Sequence, residues 1–196
     1  MNMQTLEDLF VDKLKDMYDA ERRISRTLPK MIRRASSTDL SMAFTDHLRQ
    51  TEGQIRRLDR IFRSIGTAPG RKTCHGMMGI LEEGEELLEK KVPKPVMDAA
   101  LIGGAQEVEH YEIAGYGCLR TWAELLGRHD EARLLQETLE EEEEADRKLT
   151  EIASSINAHA EEVDEAQAEE SGVERRPARR ASRTAATRGR RKKPAA

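Results

Sequence analysis

The chain has 196 residues, enough for one domain of ordinary size plus an extra segment, and is 36% charged but only 4% aromatic. Its core must therefore be aliphatic and methionine-rich, which suits a helical bundle better than a β-sandwich. The net charge of −4 conceals an asymmetry: residues 173–196 hold ten Lys or Arg against one Glu, leaving −13 on the rest.

No apolar run is long enough to cross a bilayer, and Met1–Thr5 has neither the basic nor the apolar region of a signal peptide. Cys74 and Cys118 lack CxxC spacing and zinc-type partners, so they read as reduced thiols in a cytoplasmic protein. No phosphate loop, dinucleotide fingerprint or nucleophile–base arrangement is visible, which argues against kinases, dehydrogenases and hydrolases.

Thr5 with Asp8 three residues on forms a capping box that opens a helix from Leu6 to Arg34, with a kink or break expected near Leu28 because Pro29 follows. Ser36, Ser37 and Asp39 start a second helix that stops at Gly66. Its apolar stripe is Phe44, Leu48, Thr51, Ile55, Leu58, Phe62 and Ile65. A shorter helix spans about Cys74 to Lys91, broken by Val92-Pro-Lys-Pro95. Pro95 then serves as the first helical position of a fourth helix that closes at Gly127. A fifth helix runs from about Asp130 to Ala158.

The expected fold is all-α: a ferritin-like four-helix bundle of two long antiparallel hairpins, with the short helix in the crossover, over residues 1–158. Residues 159–196, acidic and then strongly basic, lose apolar periodicity and read as a disordered tail.

Function is suggested by acids placed where hydrophobes belong. In the fourth helix the stripe Leu101, Ala105, Val108, Gly115, Leu119, Trp122 and Leu126 contains Glu112 at its middle and Glu109 at its edge, an i, i+3 pair. In the first helix Glu21 interrupts the series Leu14, Met17, Ile24 and Leu28. In the fifth, Glu142 and Asp146 fill the gap between Leu139 and Leu149. A carboxylate on an apolar face is costly to bury unless something pairs with it. Three helices repeating the oddity point to a carboxylate cage for iron or manganese, dinuclear by the usual scheme.

The second helix is the weak wall. Thr51 occupies its centre, and His47 and Glu52 flank the stripe on opposite sides, either able to turn inward. The candidate ligands are therefore Glu21, Glu52, Glu109, Glu112, Glu142 and Asp146. His47 and Tyr18 are possible ligands or supporting groups, Tyr18 because it lies one turn before Glu21. The competing explanation is a set of core ion pairs with Arg22, Arg49, Arg57 or Arg120.

Several strings carry a family resemblance: Tyr18-Asp-Ala-Glu21, Leu28-Pro-Lys30, His47-Leu48 with Thr51, Asp98-Ala-Ala-Leu-Ile102, Val108-Glu-His-Tyr-Glu-Ile-Ala114, and Glu137-Thr-Leu-Glu-Glu-Glu142 with Asp146. From about Leu6 to Ala158 the chain resembles the YciF-type family of bacterial ferritin-like proteins, linked to stress responses. The Glu109/Glu112 spacing is also similar to that of rubrerythrins. The resemblance implies a ferritin-like bundle, a homodimer and a dinuclear metal centre, and it leaves the reaction open. Helix 2 departs from the pattern, with Arg49-Gln-Thr-Glu52 where related sequences carry Glu-x-x-His.

Two functional expectations follow: a metal centre that handles iron or peroxide under stress, or a DNA-binding scaffold acting through the tail. In the second, Arg175, Arg176, Arg179, Arg180, Arg183, Arg188, Arg190, Arg191, Lys192 and Lys193 would neutralise phosphates without reading sequence.

Overall fold

The structure, a computed structural model, describes residues 3–171, with side chains over 3–162. Its five helices are α1 (Leu6–Arg34), α2 (Thr38–Ser64), α3 (His75–Leu88), α4 (Lys94–Leu125) and α5 (His129–Ser171). Among the described residues there is no strand and no helix long and apolar enough to cross a membrane.

α1 starts with the expected capping box, the Thr5 hydroxyl accepting from the Asp8 N–H while the Asp8 carboxylate accepts from the Thr5 N–H. It neither breaks nor ends at Pro29. Proline costs the helix the bond to the Ser25 carbonyl, and the buried Ile24, Thr27 and Leu28 around it keep the helix seated on its neighbours. Ser37 caps α2, and Gly66 and Gly127 take the left-handed φ values of +67° and +70° that end α2 and α4. α5 extends beyond the expected Ala158 to Ser171. The acidic, Ala-rich segment after His159 has no apolar stripe, but Ala and Glu are strong helix formers and continue the helix without one. The ten basic residues from Arg175 to Lys193 lie outside the described residues.

α1 and α2 form one hairpin, α4 and α5 the other. They pack α1 against α4 and α2 against α5, while α3 in the crossover covers α4 and α1. Asp98 fixes the turn between α1 and α2 from across the bundle. Its buried carboxylate accepts the Ser36 N–H (2.8 Å), the Ser36 hydroxyl (2.6 Å) and the Ser37 N–H (2.9 Å). Asp98→Ala strands these donors and is expected to destabilise the fold by about 2–4 kcal/mol, read as a lower urea midpoint. An unchanged midpoint would show the contacts to be dispensable.

The core is divided by level. One apolar cluster holds Ile24 and Leu28 of α1, Leu40 and Phe44 of α2, Leu101 to Val108 of α4, and Leu149 and Ile156 of α5. The other holds Phe10, Leu14 and Met17 of α1, Leu58 and Phe62 of α2, Tyr116 and Leu119 of α4, and Leu135 and Leu139 of α5. In every bundle helix the residues between the two clusters are polar and buried: Glu21; His47, Thr51 and Gln54; Glu109 and Glu112; Glu142.

Candidate metal centre

The four helices place this polar layer at a common depth because each substitutes acids or a histidine for hydrophobes at the matching turn. One donor atom each from His47, Glu109, Glu112 and Glu142 falls within 4.8 Å of all the others. Glu21 stands beside them, close enough for its charge to act on both Glu109 and Glu112. Its Oε1 accepts a short hydrogen bond from the fully buried Tyr116 hydroxyl.

These groups are poorly satisfied by one another. Both oxygens of Glu112 and of Glu142, Glu21 Oε2, Glu109 Oε2 and both His47 nitrogens are buried with no hydrogen-bond partner among the described residues. His47 Nε2 lies 3.3 Å from Glu109 Oε1, but neither ring nitrogen is aligned to donate to it or accept from another group. Native proteins rarely leave so many buried polar atoms unpaired.

Protonation follows from the same geometry. Burial, then the charge of Glu142, raises the Glu21 carboxyl well above its usual range. Burial does the same to Glu112 and Glu142, reinforced by the neighbouring carboxylates. Glu109 is pushed up to about 8, chiefly by burial, and burial lowers His47 to about 4. Without a cation, the site is driven to hold neutral carboxylic acids and a neutral imidazole.

The arginines that could have supplied a cation look elsewhere. Arg49 pairs with Asp46 at 3.0 Å. Arg57 is forked onto Glu141 and also meets Glu137 at 3.5 Å. Arg22 and Arg120 make no ion pair among the described residues. The Arg57–Glu141 fork, with Gln54 Nε2 donating to Glu141 at 3.0 Å, braces α2 against α5 beside the layer, and the Arg57 charge offsets only part of the rise at Glu21 and Glu142.

Three of the residues singled out from sequence stand apart from the cluster. Glu52 is exposed. The buried face of α2 runs through Phe44, His47, Thr51, Gln54 and Leu58, while Leu48 and Ile55 are only half-buried. That rotation carries His47 inward and Glu52 outward. Asp146 sits at the α4–α5 seam, accepting from Gln106 Nε2 at 3.0 Å and lying 3.4 Å from His110 Nε2. Tyr18 is half-buried, edge-on to Phe62 (5.6 Å between centroids). The tyrosine at the cluster is Tyr116, which the sequence reading missed. Its signal was its spacing, one turn after Glu112 on α4.

The layer is reached from the surface by a cavity of about 360 Å³ between α2 and α5, lined by Asp46, His47, Gln50, Glu109, Glu144 and Lys148. Its other flank is dry: a narrow gap of about 20 Å³ among Ile24, Leu28, Phe44, Leu81 and Val108 also abuts His47 and Glu109. The polar cavity therefore offers ions an approach that the apolar gap does not.

The family model described as "Domain of unknown function (DUF892)" matches residues 5–163. Protein YciF of Escherichia coli strain K12 is 48% identical over 163 residues, covering 82% of this chain and 98% of its own. The crystal structure of the E. coli stress protein YciF superposes with a TM-score of 0.77 at 46% identity, over 80% of this chain and 99% of that one. YcfI from Rhodopseudomonas palustris gives 0.74 at 45% identity, over 76% and 95% of the two chains. A Xanthomonas campestris protein gives 0.66 at 19% identity, covering 82% of this chain and 98% of its own, a likeness of fold alone.

Proposed function

The chain belongs to the DUF892 family, and from that premise we propose that it binds a dinuclear iron or manganese centre used in handling peroxide or iron under stress. The observation that carries the reading is the set of unpartnered buried oxygens facing one another in the polar layer. Glu21, Glu109, Glu112 and Glu142 would bear four negative charges when ionised, which two divalent cations balance. His47 adds one nitrogen donor, and carboxylates with imidazole suit iron and manganese.

When bound, such a pair supplies one electron per metal and open positions for an oxidant. This chain's own residues do the holding. Glu109 and Glu112, one helical turn apart, present two carboxylates from a single rigid helix. The Tyr116 hydroxyl fixes the orientation of Glu21. The Arg57–Glu141–Gln54 brace holds α2 and α5 at the spacing that keeps His47 and Glu142 facing. The stress-protein description belongs to E. coli YciF; its transfer here rests on the 48% identity over 163 residues, 98% of that relative's length.

The test is rapid mixing of the anaerobically Fe(II)-loaded protein with hydrogen peroxide and, separately, with dioxygen, followed by absorbance. Oxidation at least tenfold faster than in the His47→Ala variant is expected for one of the two oxidants. Oxidation no faster than that of free Fe(II) with either would overturn the redox reading.

A further inference from the structure

On the outer flank of α1, away from the polar layer, a second cavity of about 230 Å³ lies between α1 and the segment 69–73 that leads into α3. Lys15, Arg22 and Arg26 reach it from one face of α1, four to seven residues apart, and Arg71 and Lys72 line its other wall. Tyr18, which the metal site leaves unused, lies between them. Five cations and one carboxylate, Asp19, thus surround a cleft on a body that carries −13 overall.

The wall is built rather than incidental. Lys72 Nζ donates to the Asp12 carbonyl at 3.1 Å and its carboxylate at 2.6 Å. The Cys74 N–H donates to Asp19 Oδ2 at 2.8 Å, and Gly70 takes a φ of +73° that lets the segment turn. Asp19 also accepts from Arg23 Nε at 2.6 Å, so its single charge is divided between Arg23 and Arg22 and leaves the cleft positive. Arg22 is held 5.9 Å over the Tyr18 ring. Lys15, Arg22, Arg26 and Arg71 make no ion pair among the described residues. Like charges gathered around a concave surface raise its potential, and an anion entering it relieves their repulsion.

We propose that this cleft binds a phosphate-bearing anion, with Arg22, Arg26 and Arg71 as its principal donors. Guanidinium forks match phosphoryl oxygens, and the volume admits two linked phosphoryl groups. The same chemistry is offered by a free di- or triphosphate and by a nucleic-acid backbone.

The experiment is a titration of the full chain with pyrophosphate, followed by backbone amide NMR shifts, beside the Arg22→Ala/Arg71→Ala double variant. Both residues are exposed, so the variant should fold. Saturable shifts at Arg22 and at Gly70–Thr73, weakened at least tenfold in the variant, are the expected result. The absence of shifts there, or shifts unaltered in the variant, would overturn the proposal, whatever happens in residues 173–196. A parallel titration with a short DNA duplex identifies the source. Matching shifts at the same amides assign a nucleic-acid backbone, and their absence assigns a free phosphate compound.

Discussion

Stripped of metal, the protein is expected to lose thermal stability as the pH is raised from about 6.5 to about 8.5, and Mn(II) is expected to restore it most strongly at the upper end. Burial pushes the Glu109 carboxyl up to about 8 in the fold, and Glu21, Glu112 and Glu142 are also raised well above the ordinary carboxyl range. Each group binds its proton more tightly folded than unfolded. Its contribution is therefore complete below the unfolded value and disappears as pH rises through the folded one. His47 acts oppositely, having been lowered from 6.5 to about 4, so its contribution is lost only as pH falls through that range. Above pH 6.5 the histidine has no further effect and the carboxyls decide the slope. Metal replaces the protons, so its stabilisation grows with pH. Melting curves of chelator-treated protein with and without Mn(II) check this. A flat apo profile, or a Mn(II) shift equal at both pH values, would contradict it.

The second large effect concerns Glu112. Replacing it with methionine, of similar volume, should stabilise the metal-free protein by about 2 kcal/mol while eliminating metal binding. Neither Glu112 oxygen has a hydrogen-bond partner among the described residues, so no bond is lost. Burial and the charges of Glu21, Glu142 and Glu109 all oppose its ionised form, and methionine removes a member of that repulsive set. At this chain length the gain corresponds to a melting temperature higher by roughly 4–8 °C. The same substitution takes a central donor from the cluster. A residue kept for stability alone would behave in the opposite sense, and a lower melting temperature for the metal-free variant would count against the account.

Much of this site can be read in the sequence because α1, α4 and α5 have strong apolar stripes. Glu21, Glu112 and Glu142 sit where Leu14, Leu119 and Leu139 set the phase, so periodicity alone places them in the interior. α2 offers less. Leu48 and Ile55 suggest one phase and Ala43, His47 and Gln54 another, and only the packing of both hairpins selects the second. That choice turns His47 in and Glu52 out. Asp146 keeps the right helical phase but meets the amide of Gln106, a partner on another helix that spacing within α5 does not reveal. Tyr116 escaped because an aromatic on an apolar stripe looks like ordinary core until its hydroxyl is seen on Glu21. The length of α5 was underestimated for a different reason: burial periodicity marks where a helix packs, whereas propensity sets how far it continues.

Elemental analysis after anaerobic loading with Fe(II) or Mn(II), followed by gel filtration, tests the central claim most directly. About two ions per chain are expected in the wild-type protein, with none retained by Glu112→Met. Wild-type protein that retains no metal, or a variant that retains the full complement, would contradict it.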